Sequence, residues 1–427
     1  MPPAVVYDGL RTVLGTSLAT PRGLDRVDHA FARYFADRWP GDCFGLMPNL
    51  PGMRLYDRDL SRQLLVYAEN LWRENGDAQR DRRYTGFRER LLHGSPLTFD
   101  DPPRRRRHPL AGIPGLVRHF GVRLGASAIR HAPPKSIYLN IGQVTWAYPF
   151  VTHWLRRRPD IRAVFMLHDV IPIERPDITR MPKFENDWTI RTIVQRAAGL
   201  ITTTQAASEA AVAILRRHGL PDIPVCPLHL PVADVFFRKD YSDELLSEHP
   251  YFLVCGSFEY RKNLSLLLRV WQRLVEVLGA KAPLLVFAGT LEKSGEPFIR
   301  QLRADPALQQ YVTVLSGLSS PGLRQLMRNA RALLMPSLAE GFGLPVVEAL
   351  ALGTPVLASD IPAHREIGED FALYLDPGDD SSWYEAIADL IGNPERGANL
   401  RRKIGAFQPM SEASYFAQIQ LFLESIR

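Results

Sequence analysis

No stretch of this chain approaches the run of about 18 apolar residues that a membrane-crossing helix needs. The N-terminus, Met1-Pro2-Pro3-Ala4-Val5-Val6-Tyr7-Asp8, lacks the basic stretch and apolar core of a secretory leader. Cysteine is scarce. Cys43, Cys226 and Cys255 lie far apart in apolar surroundings, so they suggest neither a metal site nor a disulfide framework, and reduced core thiols of a cytoplasmic protein are expected. Zinc-finger spacings, heptads and internal repeats are missing too. Asp57-Arg58-Asp59 has the outline of a metal-binding D-x-D, but no third ligand stands at a convincing distance. Two acids ahead of an apolar run suit a helix start, where they complement the dipole, so no metal is assigned.

The remaining composition is that of an ordinary globular protein: 427 residues, 46% hydrophobic and 23% charged, enough for about two to three domains. A net charge of +6 suits anionic partners such as nucleotides, anionic lipid or nucleic acid, without choosing among them.

Short β-branched runs alternate with amphipathic helical patterns, which signals parallel α/β structure. In the first half, strands are expected at 4–8, 43–47, 136–141, 163–167, 200–203 and 223–228. Helices are expected after Gly23 (Leu24, Val27, Phe31 and Tyr34 on one face) and at 60–72, 147–157, 184–198 and 207–218. Residues 9–23 read as a loop. Residues 227–250, rich in proline and charge, read as an interdomain linker. A second α/β series follows, with strands at 251–255, 284–288, 312–316, 332–335, 355–358 and 372–375.

The most informative stretch is Glu340-Gly341-Phe342-Gly343-Leu344-Pro345-Val346-Val347-Glu348, between two of these strands. Its glycines let backbone approach a ligand, Pro345 opens a helix, and free N–H groups at a helix start suit a phosphate. Phosphate would repel Glu340 and Glu348, so these carboxylates are better placed to accept hydrogen bonds from hydroxyls. A ligand with both phosphates and hydroxyl-rich rings is a sugar nucleotide. Gly256-Ser257-Phe258-Glu259-Tyr260-Arg261-Lys262-Asn263 follows the first strand of the same half, and Arg261 and Lys262 at its tip suit a diphosphate. His168-Asp169 ends the strand at 163–167, where His168 either caps the sheet or serves a site; Asp169 reads as structural.

These residues resemble the E-x7-E signature and associated motifs of retaining glycosyltransferases of the GT-B type, family 4. The resemblance covers 251–377 strongly and 163–204 more weakly. It implies two Rossmann-like doubly wound domains facing across a cleft: residues 1–235 on the acceptor side, 236–408 binding the nucleotide sugar, and 409–427 as a helix crossing back. It implies that Arg261 and Lys262 hold the donor's phosphates, Glu340 the sugar hydroxyls, Glu348 the ribose, and that His168 faces the sugar. Gly256, Ser257, Gly341, Phe342, Gly343 and Leu344 then line the donor site, Leu318 meets the base, and Gly15 lies in the loop beside the diphosphate. The implied reaction transfers a hexose or deoxyhexose, of mannosyl or rhamnosyl type, to a glycan or lipid-linked acceptor in bacterial surface polysaccharide synthesis. It calls for no cofactor, no metal and no nucleic acid. A sugar-nucleotide epimerase of the same fold and a non-catalytic sugar-nucleotide-binding scaffold remain open.

Arg104 to Arg107 precede a basic amphipathic stretch, 115–131, that reads as a single helix. Residues 104–131 are therefore a candidate contact with an anionic membrane, at the inner face of the plasma membrane, although a solvated loop and a core-facing helix are equally natural readings.

Overall fold

The computed structural model describes residues 2–18, 20–49, 52–72, 77–93, 112–143, 149–179, 183–238 and 243–426. The basic block Arg104–Arg107 lies outside the described residues.

Eight strands form the first sheet: β1 (Val5–Asp8), β2 (Cys43–Asn49), β3 (Gly52–Tyr56), β4 (Ala126–Ser127), β5 (Ile137–Asn140), β6 (Arg162–Leu167), β7 (Ala197–Thr202) and β8 (Val225–Pro227). Their spatial order is β4-β3-β2-β1-β5-β6-β7-β8. The strands from β2 through β8 on the β1 side are parallel, with helices on the faces, and so β1, β5 and β6 are almost wholly buried apolar runs. Only β3 is reversed, pairing antiparallel with β2 on one side and with the short edge strand β4 on the other. Neither β3 nor β4 was anticipated, because Arg54 interrupts the apolar pattern of β3 and β4 is too short to show a period.

The second sheet holds β9 (Tyr251–Cys255), β10 (Leu284–Ala288), β11 (Val312–Leu315), β12 (Leu333–Met335), β13 (Val356–Ser359) and β14 (Leu373–Leu375), in the order β11-β10-β9-β12-β13-β14. The chain builds outward from β9 to β11, then crosses back to place β12 on the other side of β9. The carboxyl ends of β9 and β12 thus flank the switch point at which open α/β sheets bind ligands. Helix Leu264–Leu278 covers one face, with Leu266, Leu267, Leu268 and Trp271 fully buried.

The described residues of the stretch 227–250 are more ordered than a plain linker. A short turn of helix at Asp234–Phe237 and helix Glu244–Glu248 bury Val235, Phe236 and Leu246. The last helix, Glu412–Ser425, packs on the first half: Phe416 stacks on Tyr34 at 4.2 Å between ring centroids, and Tyr415 meets Phe31 edge-on at 5.6 Å.

Two further expectations need correction. Residues 9–23 are not a continuous loop, since Leu10–Gly15 is helical. The stretch 115–131 is not one helix. Helix Ile113–Phe120 stops at Gly121 (φ 70°), a second positive φ follows at Gly125 (63°), the chain passes through β4, and only Ala128–His131 is helical again. Both glycines adopt a conformation that L side chains rarely take, which is why the apolar spacing could not continue.

Candidate functional site

The glycine turn after β12 is shaped by close contacts across the interface between the two sheets' domains. A Cβ on Gly341 would lie 2.1 Å from the His168 carbonyl oxygen and 2.6 Å from the Asp169 Cβ, so only glycine fits. The Gly341 carbonyl accepts hydrogen bonds from the hydroxyls of Thr203 (2.9 Å) and Thr204 (3.2 Å). Gly343 has φ 105° and caps helix Leu344–Ala351, whose first turn carries Pro345. Here the expected strand–glycine turn–helix arrangement is present.

Glu340 is the hub of the charged cluster. It pairs with Lys262, accepts from Arg261 at 2.7 Å and from the Ser337 hydroxyl at 2.6 Å. Burial would raise its pKa, but Arg261 and Lys262 overcome that and hold the carboxyl far below the usual range. Burial pushes the Lys262 ammonium down from its ordinary value, against the pull of Glu340. Arg261 also reaches Glu259 at 2.9 Å, and Glu259 accepts from the Ser257 hydroxyl at 2.5 Å. Gly256, at φ 132°, leaves its would-be Cβ 3.6 Å from the Lys262 Nζ, so the lysine lies over a bare backbone. Two adjacent residues of one turn therefore set two cations against a carboxylate from the neighbouring strand's turn.

Glu348, one turn into its helix, is 2% exposed. Its countercharge comes from the other domain: Arg26, on helix Gly23–Asp37, donates to Glu348 Oε1 at 2.7 Å. Arg26 was not singled out in the sequence, where nothing in spacing separates it from Arg22 at the helix cap or Arg33 on the same helix.

His168 ends β6 with its ring buried and Nε2 2.9 Å from the Ile141 carbonyl. Burial lowers its pKa to about 4, so the ring is neutral at pH 7. A carbonyl beside Nε2 places the proton there and leaves Nδ1 as an acceptor. Asp169 caps the following turn, accepting from the Ile171 N–H at 3.2 Å, the structural role its position suggested.

Gly15 is corrected. It lies within a helix, a Cβ there would be 2.9 Å from the Trp72 ring, and its carbonyl accepts from the Trp72 indole at 3.1 Å. Gly23, the first residue of helix Gly23–Asp37, would place a Cβ 3.0 Å from Leu344 and so is the glycine that meets the glycine turn. Phe342 is buried against the His229 ring at 6.0 Å, and Leu318 packs at the edge of the core. Beside it, the Asp81 carboxylate accepts from both the N–H and the hydroxyl of Ser319 at 2.7 Å. His364 lies behind Gly343, with Nδ1 3.0 Å from the Ser359 carbonyl and, among the described residues, no partner for Nε2.

Among the described residues, no group of three His, Cys, Asp or Glu could hold a metal ion. In the D-x-D string, Asp57 accepts from the Leu60 N–H at 2.8 Å and Asp59 pairs with Arg62 at 3.2 Å, both local helix-start contacts.

Comparison with known proteins places these observations in context. The family described as Glycosyl transferases group 1 matches residues 237–406. The chain is 27% identical over 232 residues to the O-antigen chain mannosyltransferase RfbU of Salmonella typhimurium, covering 54% of this chain and 61% of that protein. It is 28% identical over 255 residues to the serotype-specific mannosyltransferase WbdA of Escherichia coli, covering 56% of this chain and 31% of that one. The match thus spans less than two thirds of these relatives' lengths. Among solved structures, HepE of Anabaena in complex with UDP and glucose superposes with a TM-score of 0.63 at 15% identity, covering all of both chains. Sucrose-phosphate synthase of Thermosynechococcus elongatus gives 0.60 at 18% identity over 99% of this chain and 98% of that one. The two parallel-sheet domains are the GT-B arrangement.

Proposed function

We propose that this chain, whose residues 237–406 belong to the glycosyl transferases group 1 family, transfers a mannosyl or related hexosyl or deoxyhexosyl group from a nucleoside diphosphate sugar to a glycan or lipid-linked acceptor in bacterial surface polysaccharide synthesis. The observation that carries this reading is the convergence of Arg261, Lys262, Glu340 and the Gly341–Leu344 turn at the carboxyl ends of β9 and β12. The mannosyltransferase names of the relatives support the sugar; their partial overlap makes it a proposal.

In this mechanism the bond between the anomeric carbon and the diphosphate breaks as negative charge grows on the phosphate oxygen. Arg261, Lys262 and the N–H groups opening helix Leu344–Ala351 stabilise that charge. Glu340 orients the sugar hydroxyls and Glu348 accepts from the ribose diol. His168, neutral and next to the glycine turn, orients the sugar from the opposite domain. The acceptor hydroxyl attacks from the face the phosphate leaves, passing its proton to that phosphate, which retains the anomeric configuration.

A thermal-shift screen against UDP-, GDP- and dTDP-sugars identifies the donor, since a ligand at 100 times its dissociation constant adds about 2.7 kcal/mol. Release of nucleoside diphosphate on adding a lipid-linked acceptor supports transfer. Donor binding with no turnover over a broad acceptor panel would instead indicate a scaffold.

No helix among the described residues is long and apolar enough to cross a membrane. Peripheral contact of residues 104–131 with anionic lipid is part of the proposal, supported by Val117, Val122 and Leu124, exposed beside Arg118 and Arg123. Co-sedimentation with anionic liposomes tests it: equal recovery after charge reversal of Arg118 and Arg123 would count against it.

A further inference from the structure

Arg26 stands where three parts of the molecule meet. It is carried by helix Gly23–Asp37 of the first domain, three residues after Gly23, where a Cβ would lie 3.0 Å from Leu344. One guanidinium nitrogen donates to Glu348 at 2.7 Å and the other to the Ser320 hydroxyl at 3.3 Å, both in the second domain. Its guanidinium carbon lies 5.5 Å from the ring centroid of Phe236, in the segment joining the two domains, and that ring is 1% exposed. The Glu348 side chain is 2% exposed and that of Arg26 15%, so this ion pair is screened from water on nearly every side.

A carboxylate so deeply buried is costly to keep charged without a partner. Arg261 and Lys262 of its own domain are both paired with Glu340, and the buried Arg324, one turn after Ser320, donates to the Val235 carbonyl at 2.6 Å. Ionisable or polar groups around the pair include the Cys255 thiol, which burial keeps protonated, Lys262, Arg324 and Ser320. The guanidinium that pairs with Glu348 at 2.7 Å thus comes from across the cleft.

Resting on the assignment of Glu348 to the ribose, we infer that Arg26 is a positioning residue for donor binding: it keeps Glu348 ionised and aligned, and so couples nucleotide affinity to the approach of the two domains. A guanidinium on one oxygen of a carboxylate does not prevent the group from accepting hydroxyls, and it fixes the plane in which they are accepted. Nucleotide affinity would then depend on a residue outside the nucleotide-binding domain. Lysine at this position keeps the charge but loses the fork that spans Glu348 and Ser320.

The test is calorimetric binding of GDP, UDP and dTDP to the full chain and to Arg26→Met, Arg26→Lys, Glu348→Gln and the Arg26→Met/Glu348→Gln double variant, at pH 6, 7 and 8.5. For whichever nucleotide binds the wild type, Arg26→Met is expected to weaken binding by 10-fold or more at pH 6 and to recover part of that at pH 8.5, as the carboxyl that has lost Arg26 ionises. Arg26→Lys should lie between wild type and Arg26→Met. In the Glu348→Gln background, Arg26→Met should cost less than twofold, because the charge it serves is gone. A pH-independent loss that is equal in both backgrounds would show a merely structural residue and overturn the inference, as would unchanged or tighter binding by Arg26→Met. If none of the three nucleotides binds the wild type, the donor-site reading falls, and this inference with it.

Discussion

In the C-terminal half, Lys262 meets Glu340 because the turns that carry them follow β9 and β12, adjacent parallel strands. The N-terminal half reaches the same place through separate elements: Arg26 from the first long helix, His168 from the end of β6, and Thr203 from the end of β7. One side of the cleft is built by strand order, the other by docking. Chemistry built by strand order survives in short contiguous motifs, whereas docking contacts depend on where whole helices come to rest.

The largest effects should come from the side built by strand order. Arg261→Met or Lys262→Met removes a group opposing the charge on the leaving phosphate, and removal of one such donor typically costs about 3–4 kcal/mol of transition-state stabilisation. Turnover should drop by about 10²–10³-fold, measured by release of nucleoside diphosphate. A loss confined to KM for both variants would mean that these residues bind the ground state and no more.

Docking contacts away from the two glutamates should give smaller losses, expressed as stability. Glu366, on helix Pro362–Gly368, accepts from the N–H groups of Gln205 and Ala206 at 2.6 and 3.0 Å and pairs with His229 at 2.9 Å, capping a helix of the other domain. Glu366→Ala should destabilise the protein by about 1–2 kcal/mol, the scale of a lost cap, read as a lower midpoint in urea. A change only in nucleotide affinity would move Glu366 into the binding machinery.

A third variant separates buried polar packing in the N-terminal half from the donor site. Burial raises the Asp28 carboxyl to about 7 despite hydrogen bonds from the Tyr7 and Thr12 hydroxyls, each at 2.8 Å. A folded pKa above the unfolded value contributes stability below the unfolded pKa, lost as pH rises through the folded one. The wild type should therefore lose stability relative to Asp28→Asn between about pH 4 and pH 7. Parallel Tm profiles for the two proteins across that range would contradict it.

The same contrast explains what was legible in the sequence. β9 and β10 fall at the residues their apolar runs indicated, and the glycine turn lies where Glu340 and Pro345 placed it, because burial on both faces and fixed turn chemistry leave local marks. Gly15 and Gly23 are a different case. Both flank the same loop, and only Trp72 stacked over one and Leu344 against the other tell them apart. Arg26 was invisible for the same reason, as its role is set by a carboxylate 322 positions away. The break in 115–131 depended on the backbone sign at Gly121 and Gly125, which hydrophobic spacing does not report.

The central claim is that the two glutamates of the turn hold different parts of the donor, and calorimetry on Glu340→Gln and Glu348→Gln tests it most directly. Glu340 is tied to Arg261 and Lys262, so neutralising it releases Lys262 and leaves Arg261 only its contact with Glu259, making both cations more available to a diphosphate. Glu340→Gln should bind the nucleoside diphosphate at least as tightly as wild type while losing sugar transfer, and Glu348→Gln should bind it at least 10-fold more weakly, about 1.4 kcal/mol. Equal loss of nucleotide affinity in the two variants would contradict the account.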